Sequence, residues 1–138
     1  MSKRREGREA ALQLLYSWQA LPPGTEQDLQ EFWQLRRADP GVQVHATALY
    51  QGVLAHLPEI DARLSGCLEN FSFDRLALVD KNILRVAIFE IFHDTQVPPV
   101  VSMNEAIEIA KRFGGEDSGR FLNGVLDRLS KDVSRSLR

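Results

Sequence analysis

Between Asp74 and His93, the apolar residues Leu76, Val79, Ile83, Leu84, Val86, Ala87, Ile88, Phe89, Ile91 and Phe92 cover more than one face of any helix drawn through them. A helix that is apolar nearly all round belongs at the centre of a bundle. The rest of the chain must therefore supply the helices that surround it. The flanking periodicity fits that demand. From Arg8 to Leu21, Ala11, Leu14, Leu15 and Trp18 recur at helical spacing, and Pro22-Pro23-Gly24 stops the run. Thr25 can cap a second helix with the stripe Leu29, Phe32 and Trp33, and Asp39-Pro40-Gly41 breaks again. A third helix is expected over Val42–Leu57, and Pro58 suits the first turn of a fourth with Ile60, Leu64 and Leu68 inward.

After the central segment, Val97-Pro98-Pro99-Val100 reads as an extended connector. Ser102-Met103-Asn104-Glu105 has the form of a capping box for a helix that carries Ala106, Ile107, Ala110 and Phe113 and stops at Gly114-Gly115. A last helix is expected to begin near Asp117, with Phe121 or Leu122, Val125, Leu126, Leu129 and Val133 as its stripe. About seven helices with no strand pattern make an all-α fold, arranged as two small sub-bundles sharing one core. With 138 residues, no repeat and no linker, the chain reads as a single domain, 1–138, with a basic arm at 1–8.

Charge is unevenly distributed. Lys3, Arg4, Arg5 and Arg8 face only Glu6 in the first eight residues, a local +3, while the chain as a whole is −2 and residues 9–138 therefore carry −5. A basic tip on an acidic body can touch a polyanion at one place but cannot coat one. If the first helix extends back to Lys3, then Arg4, Arg5 and Arg8 share much of one face. Guanidinium groups there could grip phosphate and stack on bases; the bland alternative is a solvated terminus.

The turn Gly114–Phe121 is a second candidate. Glu116 and Asp117 suit the start of a helix through its dipole. Alternatively, Asp117 accepts hydrogen bonds from a base edge, Arg120 meets phosphate and Phe121 offers a stacking face. Within the central segment, Asp80, Lys81, Arg85 and Glu90 read either as a solvated edge or as a strip for a protein partner.

Other chemistry finds little support. His45, His56 and His93 lie far apart with no partner at ligand spacing, so no metal site is expected. Cys67 has no CxxC companion and excludes an internal disulfide framework. There is no phosphate-cradling glycine motif and no nucleophile–base arrangement, so neither a cofactor nor catalysis is expected. No apolar run reaches membrane-spanning length, and the basic tip lacks the hydrophobic core of a secretory signal, which makes a cytoplasmic location the expectation.

Several of these segments carry a resemblance. Arg8-Glu9-Ala10-Ala11-Leu12-Gln13-Leu14-Leu15-Tyr16-Ser17-Trp18-Gln19 resembles the opening helix of the NusB transcription antitermination family. Asp80-Lys81-Asn82-Ile83-Leu84-Arg85-Val86-Ala87-Ile88-Phe89-Glu90 resembles its central helix. Val97-Pro98, Asn104-Glu105-Ala106-Ile107-Glu108-Ile109-Ala110-Lys111, Phe113-Gly114, Glu116-Asp117-Ser118 and Arg120-Phe121-Leu122-Asn123-Gly124-Val125-Leu126-Asp127 follow in order. The resemblance implies a non-enzymatic factor that binds single-stranded boxA RNA jointly with NusE, a ribosomal protein. The pair would help to assemble an antitermination complex on RNA polymerase during ribosomal RNA synthesis.

By position, the resemblance implies RNA contacts at Lys3, Arg4, Arg5 and Arg8 and at Asp117, Ser118, Arg120 and Phe121. It implies a NusE-facing surface at Tyr16 and Asp80. Two departures stand out. Glu6 occupies a place where a basic residue is often found, which should weaken RNA affinity, and Gly119 loosens the first turn of the last helix. Residues 22–70 carry no motif. The rival readings are a helical adaptor whose basic tip is incidental, and an RNA-binding module of the kind joined to RNA cytosine methyltransferases. The chain reaches Arg138 without a methyltransferase domain, which counts against an enzyme.

Overall fold

The computed structural model describes residues 2–20, 26–94 and 96–136, without the side chains of 19, 20 and 134–136. The expected stop at Pro22-Pro23-Gly24 and the cap at Thr25 lie outside the described residues. Seven α-helices are present among those that are described: α1 (Lys3–Ala20), α2 (Glu26–Leu35), α3 (Pro40–Ala55), α4 (Leu57–Gly66), α5 (Leu78–His93), α6 (Pro99–Phe113) and α7 (Ser118–Ser136). A single 3-10 turn, Phe73–Arg75, precedes α5.

The all-round apolar segment is the axis of the fold. α5 packs against α1, α3, α4, α6 and α7. Ile83, Leu84, Val86, Ala87 and Ile88 are buried in one cluster with Leu15 of α1, Val53 of α3, Leu64 of α4 and Leu122, Val125, Leu126 and Leu129 of α7. Burying each large aliphatic side chain contributes about 1.5–3 kcal/mol. α1 and α3 form the tightest pair on one side, and α6 and α7 pack together on the other, so two small bundles share the α5 core. α2 has no fully buried residue; Leu29, Phe32 and Trp33 lean on the core from outside. Among the described residues, no helix is long and apolar enough to cross a membrane.

Three local readings are corrected. The apolar stretch that begins at Asp74 is α-helical only from Leu78, because Leu76 and Ala77 are extended at ψ 139° and 137°. The connector Val97–Val100 is not extended throughout, because α6 begins at Pro99. A proline at the first helical position loses no hydrogen bond, since that amide would be unpaired in any case. Ser102 therefore lies inside the helix and not at its cap. It is buried, and its hydroxyl donates to Glu90 Oε2 at 3.3 Å.

The charges of α5 are not a solvated edge either. Asp80, Arg85 and Glu90 are buried. Arg85 makes a bidentate pair with Asp61 of α4 at 2.8 and 2.9 Å and donates to Asn82 Oδ1 at 3.1 Å. Lys81 rests its ammonium 4.1 Å from the centre of the Phe73 ring. Polar groups on a helix enclosed from every side must find partners or pay desolvation.

Candidate nucleic-acid interface

The basic segment is helical from Lys3 onward. Ser2 caps α1: its Oγ accepts the Arg5 amide at 3.1 Å and its carbonyl accepts the Glu6 amide at 3.0 Å. Helical spacing then turns the four cations in different directions. Arg8 points inward and is 5% exposed; its Nε and Nη2 lie 2.6 and 2.8 Å from the two oxygens of Glu90, which is 1% exposed. Burial would lower the Arg8 pKa, but the hydrogen bond and charge of Glu90 outweigh it and the pKa is raised. Arg5 Nε sits 2.6 Å from Glu105 Oε2 of α6, and that bond raises its pKa too. Lys3 reaches Asp39 at 3.3 Å, with both side chains exposed. Glu9 receives Arg112 of α6 at 3.1 and 3.2 Å.

Arg4 is exposed, and among the described residues it is the one cation of the tip without an ion pair. With Lys3 it borders an open groove completed by Pro40, Gly41, Val44 and His45 of α3. His45 packs against Gly7, where an added Cβ would lie 2.3 Å from the ring, so α1 and α3 can approach this closely only with glycine there. Burial, reinforced by the charge of Arg4, holds the His45 pKa below its usual value. Its Nε2 is buried without a hydrogen-bond partner among the described residues.

The second candidate region converges on a groove. Gly115, Glu116, Asp117, Ser118, Arg120 and Phe121 form one wall; Phe71, Arg75, Leu76, Ala77 and Asp80 form the other. α6 ends at Phe113, and the Gly115 amide donates to the buried Ser118 Oγ at 2.9 Å. Ser118 thus fixes the turn from within, and the exposed Asp117 accepts the Phe121 amide through its carbonyl at 3.0 Å. Arg75 and Arg120 are exposed and, among the described residues, pair with no carboxylate.

Phe71 and Arg75 were not singled out from the sequence. Asn70 takes φ 64°, a left-handed conformation that asparagine tolerates well, and this turns the chain out after α4. Phe71 is left 56% exposed, edge-on to Phe121 with ring centres 5.5 Å apart. A large aromatic in a turn, followed by an arginine four residues on, was the available signal.

Tyr16 and Asp80 lie at one end of the α1–α5 pair. Arg8 meets Glu90, and Leu12 shares a small cavity with Ile83 and Val86, so the two helices run antiparallel and Tyr16 falls towards the start of α5. Tyr16 is 51% exposed. Asp80 is only 8% exposed, and its Oδ1 has no hydrogen-bond partner among the described residues. It borders the same groove as Asp117–Phe121, so the expected protein-facing and RNA-facing residues adjoin.

The NusB family model matches residues 5–131. This chain belongs to the NusB family. It is 44% identical over 136 residues to the transcription antitermination protein NusB of Geobacter sulfurreducens, covering 96% of this chain and 97% of that one. It is 43% identical to the protein of the same name from Geotalea daltonii, with the same coverage. Among solved structures, T. maritima NusB is similar with a TM-score of 0.82 and 37% identity, over 95% of this chain and 92% of that one. A NusB chain from a crystal structure of antitermination factors NusB and NusE with double-stranded RNA matches with a TM-score of 0.83 and 26% identity, over 96% and 98% of the two chains. The NusB-like all-α fold expected from the sequence is therefore the observed one.

Proposed function

We propose that this protein is a transcription antitermination factor that binds boxA-type RNA together with NusE, as a binding factor and not an enzyme, in the cytoplasm. The observation that carries this reading furthest is the groove in which exposed Phe71 and half-buried Phe121 stand beside Arg75 and Arg120, which pair with no carboxylate among the described residues. Stacking faces interleaved with cations suit unpaired bases joined by phosphates. NusB relatives covering nearly the whole chain support the same reading, as does a similar chain in complex with NusE and RNA.

The residues divide by role. Arg4, Arg75 and Arg120 meet phosphate, Phe71 and Phe121 stack, and Asp117 takes a base edge or limits phosphate approach. Arg5, Arg8 and Ser118 hold these surfaces in place through their internal partners, and Lys3 adds a screened charge. Tyr16 and Asp80 face NusE, and docking of a basic partner near them offsets the acidic body and extends the RNA track towards the RNA polymerase complex.

The test is a titration with boxA-type RNA, with and without NusE. Weak, salt-sensitive binding alone and tighter binding with NusE are expected. An adaptor with an incidental basic tip would bind NusE and leave RNA affinity unchanged. Asp80→Asn should weaken NusE binding without lowering RNA binding by the isolated protein; unchanged NusE affinity removes Asp80 from that surface.

A further inference from the structure

Far from the groove, the fold joins two histidines that the sequence separates. His56 is the junction residue between α3 and α4, and His93 ends α5. Thirteen residues of α5 place His93 about 20 Å along the helix from Asp80. The two imidazoles are stacked with centres 4.0 Å apart. Glu59, in the first turn of α4, brings one carboxylate oxygen to both: Oε2 lies 3.1 Å from His93 Nε2 and 3.6 Å from His56 Nδ1. All three donor atoms fall within 4.8 Å of one another.

We propose that His56, Glu59 and His93 form a binding site for a Zn²⁺-class divalent transition metal. Metal–donor bonds of about 2.0–2.1 Å at a tetrahedral centre set donors about 3.4 Å apart. The two contacts to Glu59 bracket that separation, and binding would turn the imidazoles out of their present stack to bring their facing nitrogens to it. Two imidazoles and one carboxylate select a borderline metal over Mg²⁺ or Ca²⁺, which prefer oxygen donors. Three protein ligands leave one position for water. Neutral imidazole shifts its proton to the ring nitrogen facing away, so the facing nitrogen presents its lone pair without a net change in charge.

The surroundings support Glu59 and His93. Arg63 Nε lies 3.5 Å from Glu59 Oε1, which leaves Oε2 for the metal, while its guanidinium rests 3.7 Å from the centre of the Phe92 ring. Phe89 stacks on His93 with centres 5.6 Å apart. Gly52 makes room for that ring; an added Cβ would come within 2.2 Å of it. Orientation by such outer contacts is what ligating side chains require. A bound ion would tie the α3–α4 junction to the end of α5, at the opposite end of α5 from the groove.

The experiment uses tag-free, full-length protein, stripped with EDTA and titrated with Zn²⁺ by calorimetry and with Co²⁺ by visible absorption. Saturable one-to-one binding is expected, with the d–d bands of a tetrahedral nitrogen–oxygen site. His56→Ala, His93→Ala and Glu59→Gln should each weaken it by about tenfold or more, and His45→Gln should not. In the unmutated protein, Co²⁺ should broaden the ring NMR signals of His56 and His93 before those of His45, which keeps the test valid if a variant unfolds. Absence of saturable binding overturns the proposal, as does broadening centred on His45 or on the chain terminus.

Discussion

The basic tip and the groove between the two inter-helix connections look alike as sequence: each has arginines beside acids. In the fold they are opposites. At the tip, Arg5 and Arg8 are held by Glu105 and Glu90, Lys3 shares Asp39, and Arg4 alone stays unpaired among the described residues. In the groove, Arg75 and Arg120 keep their charge for solvent beside two aromatic faces. A count of local charge does not show which of these cations already have a carboxylate partner.

The contrast can be broken most forcefully at Arg8. Arg8→Ala leaves Glu90 buried and partly unpartnered, and removing one member of a buried pair costs roughly 3–5 kcal/mol. A large fall in melting temperature is expected. A melt like that of the parent would mean that Glu90 is solvated and the pair is not structural. Phe71→Ala tests the other region. Loss of a stacking face should weaken RNA binding by about 1–3 kcal/mol per base and barely move the melt, since Phe71 is exposed. Phe121→Ala should lose RNA affinity and also stability, because Phe121 packs against the core. Equal RNA affinity in both variants would empty the groove of its proposed role.

Asp117→Asn has a smaller effect. Asparagine ranks close to aspartate at a helix start, and the change removes a negative charge beside the proposed RNA path. RNA affinity should stay equal or rise, most clearly at low salt where screening is weakest. A marked drop in melting temperature with unchanged affinity would make the position structural only.

The helices were legible because periodicity and breakers are local. α5, α7 and the stop at Gly114 follow directly from apolar spacing and glycine. What escaped depends on partners distant in sequence. Ser102 matched a capping box, yet Pro99 starts the helix a turn earlier and Glu90 claims the hydroxyl. Arg8 matched a basic stripe, yet Glu90, 82 residues away, takes its Nε and Nη2. His56 and His93 had no ligand spacing, yet α3 and α5 bring their rings into contact. Phe71 gave no periodic signal because it sits in a turn, where exposure follows from the left-handed Asn70.

Arg8 is bound into the fold by Glu90, whereas Arg4 and the groove are the surfaces proposed to hold RNA. The most direct test is a paired measurement on Arg4→Ala and Arg8→Ala: a thermal melt, and a boxA-type RNA titration across a salt series at a temperature where both variants retain full helicity. Arg4→Ala should melt like the parent and flatten the slope of log affinity against log salt by about 0.7 for the one phosphate no longer neutralised, while Arg8→Ala should melt much lower and keep the parental slope. The reverse, a flattened slope with an unchanged melt for Arg8→Ala, would contradict this expectation.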